Sequence, residues 1–409
     1  MYTTKLLKLI NPELYNSYPA IKELYNEVNS NKIEVSFSGV TGVGKSTLLQ
    51  RIIRELSVFN NIELPSLCEN TTPAVYQFRI SKEISQPIFE VIPFSDSELR
   101  TLVECFLCDY PVSDEDNDRK LSNESYRIIR FALGDRLKDI LGNRKVPNDN
   151  KDRDAMAQIL MNILHEPNQT KWECTYTVIE EQEPWLNAGL EFFRTLRRRD
   201  DTPIDFQRSL IPKKIIVSLP ADGLESEEQE WVLYDSLGLR KKQSDVGANV
   251  GVDREVKWMN TGGLDDVLTN KPCTVVVGCH SFQGVDRNKG VKPQKPLASF
   301  LGYISHIQTS GCSVLDRFYL AVLSQDGKIR RRYNDANDDE IPLDKVRKLS
   351  CSIVLKGLEK HVNDKTPSFA LDASTDDTET IQNFLASIRA FHQQIRDNNI
   401  GILIEALEN

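Results

Sequence analysis

The segment from Gly39 to Ser46 reads GVTGVGKS and matches G-x-x-x-x-G-K-[ST], the pattern of loops that bind phosphate groups. Glycines let the backbone curl so that consecutive N–H groups point at an anion. Lys45 would supply a positive charge to the β- and γ-phosphates, and Ser46 would supply a hydroxyl to Mg²⁺. The predicted nucleotide-binding residues of this segment are Gly39, Gly42, Val43, Gly44, Lys45, Ser46 and Thr47.

The flanking sequence predicts the elements that would position this loop. Residues 33–38 alternate apolar and polar side chains as a strand does, and residues 47–54 have the spacing of a helix. The positive end of that helix dipole would favour bound phosphate. The alternative is a glycine turn with an incidental lysine.

A second acidic group is expected at the end of a neighbouring strand. Residues 231–235 form an apolar run that ends in Asp235, and Gly238 follows three residues later. An aspartate there would hold a Mg²⁺-bound water, and a glycine there would offer its backbone N–H to the γ-phosphate without an obstructing side chain. The alternative is an aspartate that starts an ordinary turn.

Together, residues 39–47 and 234–239 resemble the G domain of the translation-factor class of GTPases, and within it the dynamin-like, septin-like and immunity-related members. Those families place a threonine in a mobile loop between the two motifs. Thr71 and Thr72 occupy that place, and Thr72 is preferred because Pro73 follows it. A threonine-rich segment leading into a strand is the alternative.

The resemblance implies GTP and Mg²⁺ as ligands, and it assigns roles to individual residues. The implied catalytic residues are Lys45, Thr72, Asp235 and Gly238, and the implied metal ligands are Ser46, Thr72 and Asp235.

The guanine-reading motif [NT]-K-x-D of this class is not intact. Residues 269–272 lack its aspartate and precede a strand, whereas the position expected from the topology is residues 323–328. Asp326 in that segment would accept hydrogen bonds from guanine, but the lysine that lines the base is absent. ATP therefore remains the alternative nucleotide.

Hydrolysis is expected to need a protein partner or a homodimer. Leu239 stands where small GTPases carry a glutamine that orients water, and many GTPases with an apolar residue there act only after dimerising or meeting a partner. Residues 194–199 and 330–332 are rich in arginine and could supply a catalytic arginine, or they could be solvated surfaces.

The order of predicted elements indicates an α/β, P-loop NTPase (G-domain-like) fold, with a mostly parallel sheet, helices on both faces and a large helical insertion. The expected units are residues 1–94 and 211–375 for the nucleotide-binding domain, 95–210 for the insertion, and 376–409 for a closing helical segment. Further predicted strands are 74–80, 88–92, 214–219, 274–278, 318–323 and 352–355. Further predicted helices are 12–30, 95–107, 123–141, 153–165 and 377–397.

Composition limits the remaining function classes. The 409 residues carry a formal charge of −9, which argues against broad nucleic-acid binding by the whole surface. We expect no transmembrane segment, because no apolar run reaches about 18 residues, and the scattered cysteines fit a cytoplasmic protein. Cys105 and Cys108 are expected to be buried thiols rather than zinc ligands, and no histidine is assigned to a metal.

These observations favour a Mg²⁺-dependent GTPase switch that acts through a protein partner or through self-association. The alternatives are an ATPase that uses the same phosphate chemistry and a scaffold that binds nucleotide without turnover.

Overall fold

The structure is a computed structural model. It describes residues 19–40, 42–60, 62, 64, 75–109, 129, 150–164, 174–177, 212–236, 264–282, 295–309, 312–324, 326, 342–375 and 378–408.

Eight α-helices, one short 3₁₀ helix (Val314–Arg317) and eleven strands lie within these ranges. The α-helices are α1 (Pro19–Asn29), α2 (Lys45–Leu56), α3 (Asp96–Asp109), α4 (Asn150–Leu164), α5 (Asp265–Asn270), α6 (Lys295–Ile304), α7 (Leu343–Gly357) and α8 (Thr378–Glu408). The strands are β1 (Lys32–Gly39), β2 (Val75–Ser81), β3 (Ile88–Pro93), β4 (Cys174–Thr177), β5 (Pro212–Pro220), β6 (Glu230–Asp235), β7 (Val275–Phe282), β8 (Gln308–Thr309), β9 (Cys312–Ser313), β10 (Phe318–Ser324) and β11 (Ser368–Leu371).

Nine of the described strands form one mixed sheet in the order β11-β10-β7-β1-β6-β2-β5-β3-β4. The five strands from β11 to β6 are parallel, and β2 pairs with β6 in the antiparallel direction. Beyond it, β5 is parallel to β2, whereas β3 and β4 each run antiparallel to their neighbours. The expectation of a mostly parallel sheet is therefore only partly right: the β1 half is parallel and the other half is mixed.

Helices cover both faces of the sheet, as expected. Alternate strand residues point to opposite faces, so β6 and β7 contribute apolar side chains to two separate cores. One face packs against α2 and α8, whose buried residues include Leu48, Leu49, Ile52, Phe384, Leu385 and Ile388. The other face packs against α5, α6 and α7, whose buried residues include Leu268, Leu297, Leu301, Val346 and Val354.

The insertion between β3 and β5 contains a helix pair with its own apolar core. A capping box starts α3: the backbone N–H of Ser95 donates to Glu98 Oε2 at 3.0 Å, and the backbone N–H of Glu98 donates to Ser95 Oγ at 3.4 Å. Helices α3 and α4 bury residues that include Leu99, Val103, Phe106, Leu160 and Leu164. The insertion also contributes β4 to the sheet. Apart from Ile129, the helix predicted over 123–141 lies outside the described residues.

One element was assigned to the wrong class. Residues 352–355 were predicted as a strand but lie within α7. The run SIVL is too short for its periodicity to separate strand from helix. In the structure Val346, Ser350 and Val354 are buried at intervals of four residues, which is the spacing of a helical face. The strand of this region is β11, which was not predicted.

The closing helix was predicted correctly in type and proved longer. Helix α8 extends over 31 residues to Glu408. The apolar residues of its inner face are buried in the core on that side of the sheet: Ile381, Phe384, Leu385, Ile388, Phe391 and Ile395. Its last turns pack against α1, where Leu403 contacts a small core that includes Leu24 and Val28. No helix in the described ranges has the length and hydropathy needed to span a membrane.

Candidate functional site

The end of β1 and the loop after it require glycine at three positions. Gly42 and Gly44 have positive φ angles of 78° and 101°, which residues with a Cβ rarely adopt. Gly39 has a different reason: a Cβ there would lie 2.9 Å from the carbonyl oxygen of Cys279 on the adjacent strand β7. The glycines that define the phosphate-binding pattern are therefore also the residues that this backbone path needs.

Helix α2 begins directly at this loop. Gly44 is its left-handed N-terminal cap, and its carbonyl accepts the backbone N–H of Leu48 at 3.0 Å. Lys45 is the first helical residue, so the N–H groups of the first turn, which have no acceptor within the helix, and the positive end of the dipole lie at the loop. This is the arrangement in which a helix start binds an anion.

Lys45 and Asp235 meet at the carboxyl ends of two neighbouring strands. Strand β1 pairs with β6 in parallel register, which sets Phe37 beside Asp235, and the backbone N–H of Ser236 donates to Phe37 O at 3.2 Å. The Lys45 ammonium lies 2.9 Å from Asp235 Oδ1. It also donates to the carbonyl oxygen of Ser236 and, at 3.2 Å, to Ser236 Oγ.

This ion pair is almost completely removed from solvent. The side chains of Lys45 and Asp235 are 9% and 5% exposed, respectively. Two opposite charges at this distance and burial interact strongly, and each offsets the desolvation of the other. The pair therefore places a cation beside a carboxylate at the end of the glycine loop. A nucleotide phosphate would bind the cation, and its metal ion would interact with the carboxylate.

Oxygen donors at the loop suit a hard divalent cation. Ser46 follows Lys45 at the start of α2, and the Asp235 carboxylate lies at the end of β6. Hydroxyl and carboxylate oxygens are ligands that Mg²⁺ accepts, usually together with waters and nucleotide phosphates. Within the described ranges, no three His, Cys, Asp or Glu side chains gather into a metal-binding group. The residues present thus fit a Mg²⁺ ion that is bound partly by the protein and partly by the phosphates of a nucleotide.

Cys279 lies on β7 beneath the loop. Burial raises the pKa of its thiol to about 12, with the positive charge of Lys45 acting in the opposite direction. The thiol is therefore protonated at neutral pH and packs as an apolar group under Gly39.

Several predicted site residues lie outside the described residues. These are Thr71, Thr72, Gly238, Leu239 and the arginines of segments 194–199 and 330–332. The backbones of Cys105 and Cys108 lie on α3. For all of these the functional assignments stay predictions.

Asp326 lies just beyond the carboxyl end of β10, two strands away from β1 in the sheet. Its side chain is largely buried and accepts three hydrogen bonds from protein groups. Ser324 Oγ donates to Oδ1 at 2.6 Å, and Arg347 donates to Oδ2 from Nε at 3.2 Å and from Nη2 at 3.0 Å. Both carboxylate oxygens of Asp326 therefore accept hydrogen bonds from other residues of the protein.

A second aspartate borders this position. Asp372 directly follows β11 and accepts the backbone N–H of Asp326 at 3.3 Å on Oδ2. Its other oxygen accepts from the backbone N–H and the hydroxyl of Ser374 at 3.2 and 2.5 Å. The next residue, Ala373, accepts a hydrogen bond from Arg51 of α2 at 3.4 Å, so the end of β11 is tied to the helix of the glycine loop.

The sequence interpretation missed Arg347 and Asp372. Arg347 is separated from Asp326 by 21 residues and lies on the helix whose centre was assigned to a strand. Because helix α7 was not predicted, there was no reason to expect the Arg347 side chain near the end of β10. Asp372 could have been found from its place at the end of a strand parallel to β10. It was missed because β11 was not predicted.

Comparisons with known proteins give a weak likeness only. No family model matches the chain, and no curated protein matches it. Two solved structures of an oligomerised bacterial dynamin pair, described as a mechanism for the long-range sensing and tethering of membranes, are similar with a TM-score of 0.41 and 12% identity each. The similarity covers 99% and 98% of this chain but 46% and 54% of those chains, so this chain spans about half their length. A likeness this low carries no conclusion about family or activity.

Proposed function

We propose that this protein is a Mg²⁺-dependent switch that binds and hydrolyses GTP. The single observation that carries the proposal is the buried contact of 2.9 Å between Lys45 and Asp235, at the start of a helix that follows a glycine loop with two positive φ angles. A cation, a carboxylate and a helix N-terminus converge there, and phosphate–Mg²⁺ recognition needs all three.

In this proposal the loop N–H groups and Lys45 bind the β- and γ-phosphates. Lys45 would exchange its present partners, Asp235 and Ser236, for phosphate oxygens. Asp235 would then be released to the water shell of the metal, with Ser46 as a direct ligand. Bound Mg²⁺ supplies neutralisation of the charge that develops on the transferred phosphoryl group.

Base recognition is proposed at the end of β10. The Asp326 carboxylate would accept hydrogen bonds from the ring N–H and amino group of guanine, and adenine would leave part of it unpaired. ATP is a second candidate on one specific observation: both oxygens of Asp326 already accept hydrogen bonds within the protein. A carboxylate that is occupied in this way discriminates less between purines.

Hydrolysis by the isolated protein is proposed to be slow. Leu239 has no polar atom with which to orient an attacking water, so a partner protein or a second copy would have to complete the site. An arginine supplied in this way typically accelerates hydrolysis by ~10³–10⁵-fold. The arginines of segment 194–199 are the candidates within this chain.

The test is phosphate release from GTP and from ATP, measured over a hundredfold range of protein concentration with Mg²⁺ and with EDTA. We expect Mg²⁺-dependent release that favours GTP and whose rate per molecule rises with concentration. Asp235→Asn should retain nucleotide binding but lose turnover, because its carboxylate serves the metal rather than the base. Wild-type turnover in Asp235→Asn, or turnover that is unchanged in EDTA, would refute the proposed metal site.

A further inference from the structure

Arg347 forms a charged contact with the proposed base-reading group. Its Nε and Nη2 both donate to Asp326 Oδ2, at 3.2 and 3.0 Å, while Ser324 donates to Oδ1 at 2.6 Å. The two charged side chains are 13% and 12% exposed. The contact is therefore mostly buried, but part of each side chain remains accessible to solvent.

The hydrogen-bonding capacity of the carboxylate is nearly used up by these contacts. An ionised carboxylate accepts about four hydrogen bonds, two on each oxygen. Arg347 occupies both positions on Oδ2, and Ser324 occupies one of the two on Oδ1. One position remains, whereas guanine presents two adjacent donors and needs one acceptor on each oxygen.

We propose that Arg347 masks the Asp326 carboxylate and thereby determines the base specificity of the site, an inference that rests on the proposed nucleotide-binding function. With Arg347 in place, a purine gains at most one hydrogen bond from Asp326. Guanine then loses the second bond that distinguishes it from adenine. When Arg347 moves away, Oδ2 becomes available and the site selects guanine.

The position of Arg347 makes such a release feasible. It lies on α7, while Asp326 follows β10, so the pair joins two separate elements rather than two residues of one turn. Asp326 is also held by the hydroxyl of Ser324 and by its own backbone N–H, which donates to Asp372. Its carboxylate would therefore stay near its present position after Arg347 leaves.

The experiment compares the affinities of mant-GDP and mant-ADP, each with Mg²⁺, by equilibrium fluorescence titration of the full chain. The variants are Arg347→Met, which removes charge and donors but keeps length, and Arg347→Lys, which keeps the charge but not the two-donor fork. Lys348→Met is the matched control, since it removes a positive charge from an exposed position on the same helix. Thermal unfolding of each variant checks folding, and Arg347→Lys serves if Arg347→Met does not fold.

We expect the GDP-to-ADP affinity ratio to rise about tenfold in Arg347→Met, equivalent to about 1.4 kcal/mol, and to rise less in Arg347→Lys. Lys348→Met should keep the wild-type ratio. In an Asp326→Asn background, Arg347→Met should leave the ratio unchanged, because there is no carboxylate to release.

A ratio that stays constant or falls in both Arg347 variants would overturn the masking role and make Arg347 a residue that positions Asp326 for the base. An equal rise in the Asp326→Asn background would overturn it as well. Failure of the underlying function has a different signature: the wild-type protein and every variant would bind neither nucleotide, and the masking proposal would fall with it.

Discussion

Removing the Lys45 side chain should destabilise the protein even when no nucleotide is present. In Lys45→Met the Asp235 carboxylate stays in place with its side chain 5% exposed, but it loses the ammonium that lies 2.9 Å away. Ser236 loses the same donor at its carbonyl and hydroxyl oxygens. Breaking a buried pair by removing one partner typically costs about 3–5 kcal/mol, because the remaining charge is uncompensated.

The assay is urea unfolding at pH 7 without nucleotide, followed by tryptophan fluorescence, since Trp231 is buried on β6. Lys45→Met should lower the free energy of unfolding by about 3–5 kcal/mol. Lys345→Met, an exposed lysine of α7, is the control and should stay within about 0.5 kcal/mol of wild type.

A double-mutant cycle with Asp235→Asn separates the pair from other effects. The amide carries no charge, so Lys45→Met/Asp235→Asn should be more stable than Lys45→Met, with a coupling energy of about 2 kcal/mol. A Lys45→Met protein as stable as the Lys345→Met control would refute the reasoning, since the pair would then contribute nothing to the free protein.

Two other predictions concern glycine and histidine positions. Gly39→Ala should lower the unfolding free energy by about 1–3 kcal/mol, because its Cβ would meet Cys279 O at 2.9 Å. Gly401 lies in α8, and a Cβ added there would have nothing within 4 Å. Gly401→Ala should therefore raise the unfolding free energy by about 0.5–1 kcal/mol. If urea unfolding showed that Gly39→Ala and Gly401→Ala shift the free energy in the same direction, this reasoning would be contradicted. Burial lowers the pKa of His280 and of His392 from 6.5 to about 4, so the unfolded chain binds more protons between these values and stability falls as pH falls through this window. The loss of stability between pH 7 and pH 5 should be about 2 kcal/mol smaller in His392→Leu than in wild type, and an equal loss would contradict the buried neutral state.

The parts of the site that the sequence predicts well are those encoded within a few residues. The glycine spacing of residues 39–46 lies between an alternating strand and an amphipathic helix, and the structure has a strand and a helix at those positions. The run that ends in Asp235 is buried throughout as β6. Local pattern was sufficient to place these elements, although β1 and β6 are buried on both faces and the polar residues of β1 gave no sign of that.

Strand direction was harder to predict, because the alternation of side chains is the same in parallel and antiparallel strands. β2 reads as an ordinary strand, yet it runs antiparallel to β6 and parallel to β5. The direction of β2 depends on the end of the sheet at which the chain enters after α2, and the residues of the strand do not encode that.

Contacts between distant elements were not predictable. Asp326 was singled out from its place after a predicted strand, but its pairing with Arg347 depends on α7, where a short β-branched run suggested a strand instead. A correct helix would have placed Arg347 on the same element as the buried residues Val346 and Ser350. It would still not have shown that the side chain reaches β10.

The most direct test of the account is calorimetric titration of GDP with Mg²⁺ into the wild-type protein and into Lys45→Ala. The account predicts saturable binding of about one nucleotide per chain by the wild type, and no measurable binding by Lys45→Ala, because charge-assisted contacts to phosphate contribute most of the affinity. Equal affinity in the two proteins would contradict the assignment of the glycine loop, and with it the proposed function.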